Sequence, residues 1–185
     1  MEIILVGLAV VVLAVVYGIF LFNGLVRARQ LAEEGWSGID VQLQRRADLV
    51  PGLVTTLRAY AAHEKDTLDA VVAARNQALT LAGSDVAARA AAEGELAHAL
   101  GRLLALAESY PDLKASENFL ALQTSLETLE REIQMARRYY NGAARELNIR
   151  IESVPSCLLA RPFGFTRKAY FESPDVDRAL PQISL

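Results

Sequence analysis

The chain has 185 residues and a mass of 20.2 kDa, room for one domain with an appendage but not for two full-sized ones. A net charge of −3, with a pI near 5.5, lacks the basic footprint of a general nucleic-acid binder. The single cysteine, Cys157, excludes an internal disulfide and suits a reducing compartment.

Hydrophobic residues make up 52% of the chain and mean hydropathy is +0.21; the excess sits in one block. From Ile3 to Phe22 no residue is charged, and fifteen of those twenty positions are Ile, Leu, Val or Phe. Twenty helical residues span about 30 Å, the thickness of a hydrocarbon core, so residues 1–22 read as a transmembrane anchor. A cleaved signal peptide is the competing reading. It wants a basic start, where this chain has Glu2, and a small-residue cleavage site, where the block runs into Phe20-Leu21-Phe22-Asn23. Arg27 and Arg29 follow the block and no basic residue precedes it. The positive-inside rule then predicts the N-terminus outside and residues 23–185 in the cytoplasm.

Beyond the anchor, apolar residues recur every three or four positions. Trp36, Ile39, Leu43, Val50, Leu53, Leu57 and Tyr60 form one stripe, with Arg46 on its seam. Pro51 lies inside it and predicts a kink or a restart. Two Ala-rich helices are expected at about 66–82 and 85–108, with Asp66 and Asp69 at the positive end of the first. Ala82-Gly83-Ser84-Asp85 reads as a C-terminal glycine followed by an N-cap, and Ser109-Tyr110-Pro111-Asp112 as the next boundary. The second stripe, Phe119, Leu122, Leu126, Leu129, Ile133, Ala136, Tyr140, Ala143 and Leu147, holds a coiled-coil-like spacing for four heptads. Phe119 and Tyr60 are expected in the core.

Four of the six prolines (Pro155, Pro162, Pro174, Pro181) follow residue 154, so helix should stop near Val154. The remaining tail carries Phe163, Phe165, Tyr170 and Phe171 and is expected to pack back on the helices, partly extended. The predicted fold class is all-α. Residues 1–22 form the anchor, 23–154 a long antiparallel four-helix bundle, and 155–185 the tail.

No catalytic constellation stands out. His63-Glu64-Lys65-Asp66-Thr67 begins like H-E-x-x-H but lacks the second histidine. Gly35-Trp36-Ser37-Gly38-Ile39 lacks the glycine two residues after serine and the preceding strand that a nucleophile elbow needs. There is no phosphate-binding glycine motif. The chain is read as a non-enzyme with no metal and no cofactor. Arg46 has two readings: its guanidinium snorkels to the edge of the helices, or it forms a buried ion pair with an acid of the last helix, Glu127 or Glu130, which fixes register.

Several strings occur together: Phe22-Asn23-Gly24-Leu25-Val26, Trp36-Ser37-Gly38-Ile39-Asp40-Val41-Gln42-Leu43-Gln44-Arg45-Arg46-Ala47-Asp48-Leu49-Val50-Pro51, Tyr60-Ala61-Ala62-His63-Glu64, Glu117-Asn118-Phe119-Leu120-Ala121-Leu122-Gln123, Ala136-Arg137-Arg138-Tyr139-Tyr140-Asn141, Gly164-Phe165 and Tyr170-Phe171-Glu172. In these the chain resembles the LemA family of bacterial membrane proteins along its whole length. It departs from the pattern at Leu129, often Thr, and at Val154, usually aromatic. The resemblance implies an N-out membrane helix and a long antiparallel helical bundle, without an agreed enzymatic activity. It also implies two contexts: membrane zinc proteases of the heat-shock type, and the shaping of magnetosome membranes. The structural or interaction candidates are Trp36, Asp40, Arg45, Arg46, Asp48, Pro51, His63, Glu64, Asn118, Arg137, Tyr140 and Asn141. The expected role is a membrane-anchored structural or adaptor protein that self-associates or binds a membrane protein partner. The rival role is a membrane-shaping or lipid-interacting protein.

Overall fold

A computed structural model describes residues 1–83 and 85–172. Ser84 of the expected turn, and residues 173–185 of the expected tail with Pro174 and Pro181, lie outside the described residues. Among those described, the regular structure is entirely helical: α1 (Glu2–Tyr60), α2 (Lys65–Thr80), α3 (Val86–Ala107), α4 (Pro111–Lys114), α5 (Glu117–Glu152) and α6 (Cys157–Ala160).

Helix α1 carries both the apolar block and the first stripe. It does not restart at Pro51, which corrects that part of the expectation. Proline has no N–H, so the carbonyl four residues earlier, that of Ala47, loses its helical donor. Arg75 of α2 supplies another, its Nε donating to the Ala47 oxygen at 2.7 Å. Helix α3 starts where Asp85 Oδ1 accepts from the amides of Ala87 (2.9 Å) and Ala88 (3.0 Å). Two of its unpaired first-turn donors are satisfied in this way. Gly83 at φ +82° takes the left-handed conformation that ends α2. The boundary at Tyr110-Pro111 holds the one-turn helix α4, a step the spacing did not announce.

The chain divides into two compact units. The first joins Met1–Trp36 to Arg138–Tyr170. Its core is Leu25, Ala28 and Ala32 of α1, Leu147 and Ile151 of α5, Ala160 and Phe165. Gly35 permits a close approach here: a Cβ at that position would stand 3.0 Å from Tyr140 Cα, tighter than ordinary packing. After α5 the chain makes the short helix α6 and then runs without regular structure along α5. Asn148 holds it by two bonds: Nδ2 donates to the Lys168 carbonyl and Oδ1 accepts from the Lys168 amide, both at 2.9 Å. Tyr140 adds a third, its hydroxyl donating to the Ala169 carbonyl at 2.7 Å. Ser156 turns its hydroxyl back onto the carbonyl of Arg150 (2.6 Å), which the end of α5 leaves without a helical donor.

The second unit takes Ser37–Arg137 with, among the described residues after Tyr170, Phe171 and Glu172. Val50, Leu53 and Leu57 of α1 share a core with Leu68 and Val71 of α2, Leu96, Leu100 and Leu103 of α3, Leu113 of α4, and Phe119 and Leu126 of α5. Phe119 is buried as expected. Tyr60 is not: it is 45% exposed at the last residue of α1, where the helix ends and Ala61 takes the buried position.

Candidate functional site

The most unusual feature of the second unit is charge inside its core. Arg46 of α1 and Arg89 and Glu93 of α3 are each at most 3% exposed. Arg46 occupies the seam between Leu43 and Val50, so the stripe that buries those leucine and valine side chains carries a guanidinium inward. Its Nη2 meets Glu93 Oε2 at 2.5 Å and also reaches the Glu93 carbonyl at 3.1 Å, while Nη1 meets Glu130 Oε1 of α5 at 2.7 Å. Arg46 therefore does not snorkel. An ion pair with α5 does form, with Glu130, but that carboxylate is 39% exposed and the buried partner is Glu93 of α3; Glu127 accepts from Gln123 on the surface.

Burial by itself lowers the pKa of Arg46, but the Glu130 and Glu93 carboxylates more than offset it, so the guanidinium titrates above its ordinary value. It remains charged throughout the working range.

Arg89 extends the network. Its Nη2 lies 3.0 Å from Glu93 Oε1, one helical turn away, and 3.5 Å from Asp40 Oδ1 of α1. Its Nη1 donates to the carbonyl of Ala78 near the end of α2, a cation at the negative pole of that helix. Arg46 Nε, Arg89 Nε and Nη2, and Glu93 Oε1 have no hydrogen bond of good geometry among the described residues. A cavity of about 210 Å³ opens beside Arg46, Glu93, Glu130 and Gln134, and polar walls of this kind suit ordered water. Two cations and three carboxylates from three helices can fix which faces meet, which is the best-attested use of buried charge. The described residues contain no cluster of three or more His, Cys, Asp or Glu able to hold a metal.

The other sequence candidates fall in separate places. Trp36 tilts against Tyr140 in the first unit, ring centroids 5.5 Å apart; Asn141 is half-buried in that unit. Burial raises the Tyr140 hydroxyl above its ordinary pKa. Arg45 is exposed, 3.8 Å from Glu132, and Asp48 accepts from Gln44 at 3.0 Å; both line a shallow groove against α5. Pro51, His63 and Asn118 are exposed. Glu64 accepts from the Tyr110 hydroxyl at 3.3 Å, and burial, with the Glu64 charge, raises the pKa of Tyr110. Arg137 lies over the Phe171 ring, 5.2 Å from its centroid. Of the twelve, the network gathers Asp40 and Arg46.

Arg89 and Glu93 escaped the sequence reading, although a signal existed. Positions 89, 93, 96, 100, 103 and 107 form one stripe at three- and four-residue spacing, and all six are buried. Two charges heading an apolar stripe point inward with it. The surrounding alanines, good helix formers anywhere, hid that face.

The model of the LemA family matches residues 35–185. The chain is 30% identical to the magnetosome protein MamQ of Magnetospirillum gryphiswaldense over 189 aligned positions, 88% of this chain and 70% of that one. It is 40% identical to the magnetosome protein MamQ 2 of Paramagnetospirillum magneticum over 81 residues, 44% of this chain but only 30% of that longer relative. To the protein LemA of Metamycoplasma hominis it is 26% identical, over 87% of this chain and 76% of that one.

Proposed function

The chain belongs to the LemA family, and from that premise we propose that it is a membrane-anchored structural or adaptor protein, non-catalytic, that presents its helices to copies of itself or to a membrane protein partner. In this reading residues 1–22 cross the bilayer with the N-terminus outside, 23–154 form an antiparallel four-helix bundle on the cytoplasmic side, and 155–185 pack on it.

The observation that carries the reading is the apolar window of α1. It is long enough to cross a membrane and none of it is buried within the chain. Ile3, Leu8 and Phe20 are 89%, 61% and 73% exposed. Side chains of that kind need an apolar solvent, and lipid is one. A heat-shock-type membrane zinc protease is the partner class that the family context favours.

The mass of the full-length chain in mild detergent, by light scattering on a size-exclusion column, tests self-association. A discrete homo-oligomer supports a scaffold; a monomer removes self-assembly and leaves a tethered adaptor. Orientation is tested with Glu95→Cys in a Cys157→Ser background. An impermeant maleimide applied to intact cells is expected to label it only after permeabilisation.

A second reading is membrane shaping, the context that the family resemblance implies; two of the relatives are named as magnetosome proteins. It requires that vesicles change diameter or tubulate as the full-length protein is added; unchanged vesicles remove it.

A further inference from the structure

In the first unit, charge, exposed apolar surface and a cavity coincide where the apolar block of α1 ends. Phe22, its last residue, meets the Phe163 ring edge-on at 5.0 Å between centroids and the Phe165 ring at 5.8 Å. These contacts hold the chain after α5 level with the end of the block. The segment that follows α5 displays side chains that water does not favour: Val154 is 81% exposed, Leu158 70% and Phe163 59%.

Two arginines line the cavity in this unit. Arg150 lies so close to α1 that a Cβ on Gly24 would come within 2.7 Å of its Nη1, while its Nε pairs with Glu146 at 2.8 Å. Arg27 and Arg161 are exposed. A cavity of about 420 Å³ opens between Phe20–Arg27 of α1 and Arg150 with Ser156. Although the chain as a whole carries −3, this unit holds eight basic against five acidic side chains.

We propose that this cavity binds the phosphodiester headgroup of an anionic phospholipid, with Arg27 and Arg150 on the phosphate and Leu158 and Phe163 in the acyl boundary. The inference rests on the reading of α1 as a bilayer-spanning helix. Arg27 stands five residues past Phe22, about 7.5 Å along the axis, and the headgroup zone on one side of a bilayer is about 5–8 Å deep. The guanidiniums therefore fall at phosphate depth. Arginine matches a phosphate's paired oxygens with its planar fork of donors, and the exposed Phe163, held against Phe22 at the end of the block, adds apolar contact with the lipid.

The test uses the full-length chain reconstituted in nanodiscs of mixed phosphatidylcholine and phosphatidylglycerol, then released into mild detergent for native mass spectrometry. Retention of phosphatidylglycerol over phosphatidylcholine is expected, falling about fivefold for each of Arg27→Gln and Arg150→Gln, the weight of one basic residue at a charged surface. Inorganic phosphate is not expected to displace the lipid; displacement assigns the site to a free anion and overturns the proposal. Equal retention of the two lipids by the unmodified chain overturns it as well. A second readout places a fluorophore at Leu158→Cys in the Cys157→Ser background and quenches it with brominated lipid. Quenching supports the proposal. A bright probe on a chain that has entered the disc overturns the headgroup contact and leaves the anchor standing, whereas a chain that never enters the disc overturns both.

Discussion

Arg46 stands where the stripe of α1 asks for an aliphatic side chain, and what surrounds it decides its effect. Replacing it with methionine removes the cation but leaves the Glu93 carboxylate, 3% exposed, with Arg89 as its remaining charged neighbour. Breaking a buried pair in this way costs about 3–5 kcal/mol, so Arg46→Met is expected to lower the unfolding midpoint sharply. Adding Glu93→Gln to the same chain is expected to lose less than the two single changes summed, because the orphaned charge has gone. Denaturant unfolding of the four proteins checks it; simple additivity would show that the two groups act independently.

Tyr140 gives a pH-dependent counterpart. Burial raises its pKa above 10.0 in the folded chain, so the folded state holds this proton more tightly than the unfolded one. Its contribution is complete below pH 10 and is lost as pH rises through the folded value. Tyr140→Phe is expected to lose about 1 kcal/mol at neutral pH with the bond to Ala169. Its stability is then expected to fall less steeply than the parent's above pH 10. Tyr110, raised by burial and by Glu64, contributes in the same direction and remains in the variant, so a residual slope persists.

At the scale of the element, the unbroken α1 depends on α2. Pro51 frees the Ala47 carbonyl and Arg75 covers it. Arg75→Met is therefore expected to destabilise by about 1–3 kcal/mol, the penalty of an unsatisfied buried acceptor. In a Pro51→Ala background the amide of residue 51 returns to Ala47, and the same Arg75 substitution is expected to lose clearly less. A double-mutant cycle in thermal unfolding measures the difference, and equal losses in both backgrounds would assign Arg75 another role. Proline in a helical stripe was legible as a local defect; its repair from 28 residues along the chain was not, because no local pattern connects an arginine to a distant carbonyl. The cap at Asp85 was legible for the opposite reason, since its partners are two and three residues away.

At the scale of the molecule, the apolar block governs where the chain resides. Deleting residues 3–22 is expected to move the protein from the carbonate-washed membrane fraction to the supernatant, read by immunoblot of the two fractions. Continued membrane association would mean that residues outside the block bind the bilayer by themselves.

The long apolar block, the two stripes, the cap at Asp85 and the all-helical class follow from composition and from spacings of three and four residues, which act within one or two turns. Those signals also assigned Phe119 to the core and misassigned Tyr60, since a stripe does not say at which residue its helix ends. What the tertiary structure decided are the pairings between distant residues: Glu130 rather than Glu127 for Arg46, the entry of Glu93 and Arg89, the two-bond grip of Asn148 on Lys168, and the meeting of Arg27 of α1 and Arg150 of α5 at one cavity. Each depends on which faces of separate helices meet, a choice made by summed packing over the core and not by any residue's immediate neighbours.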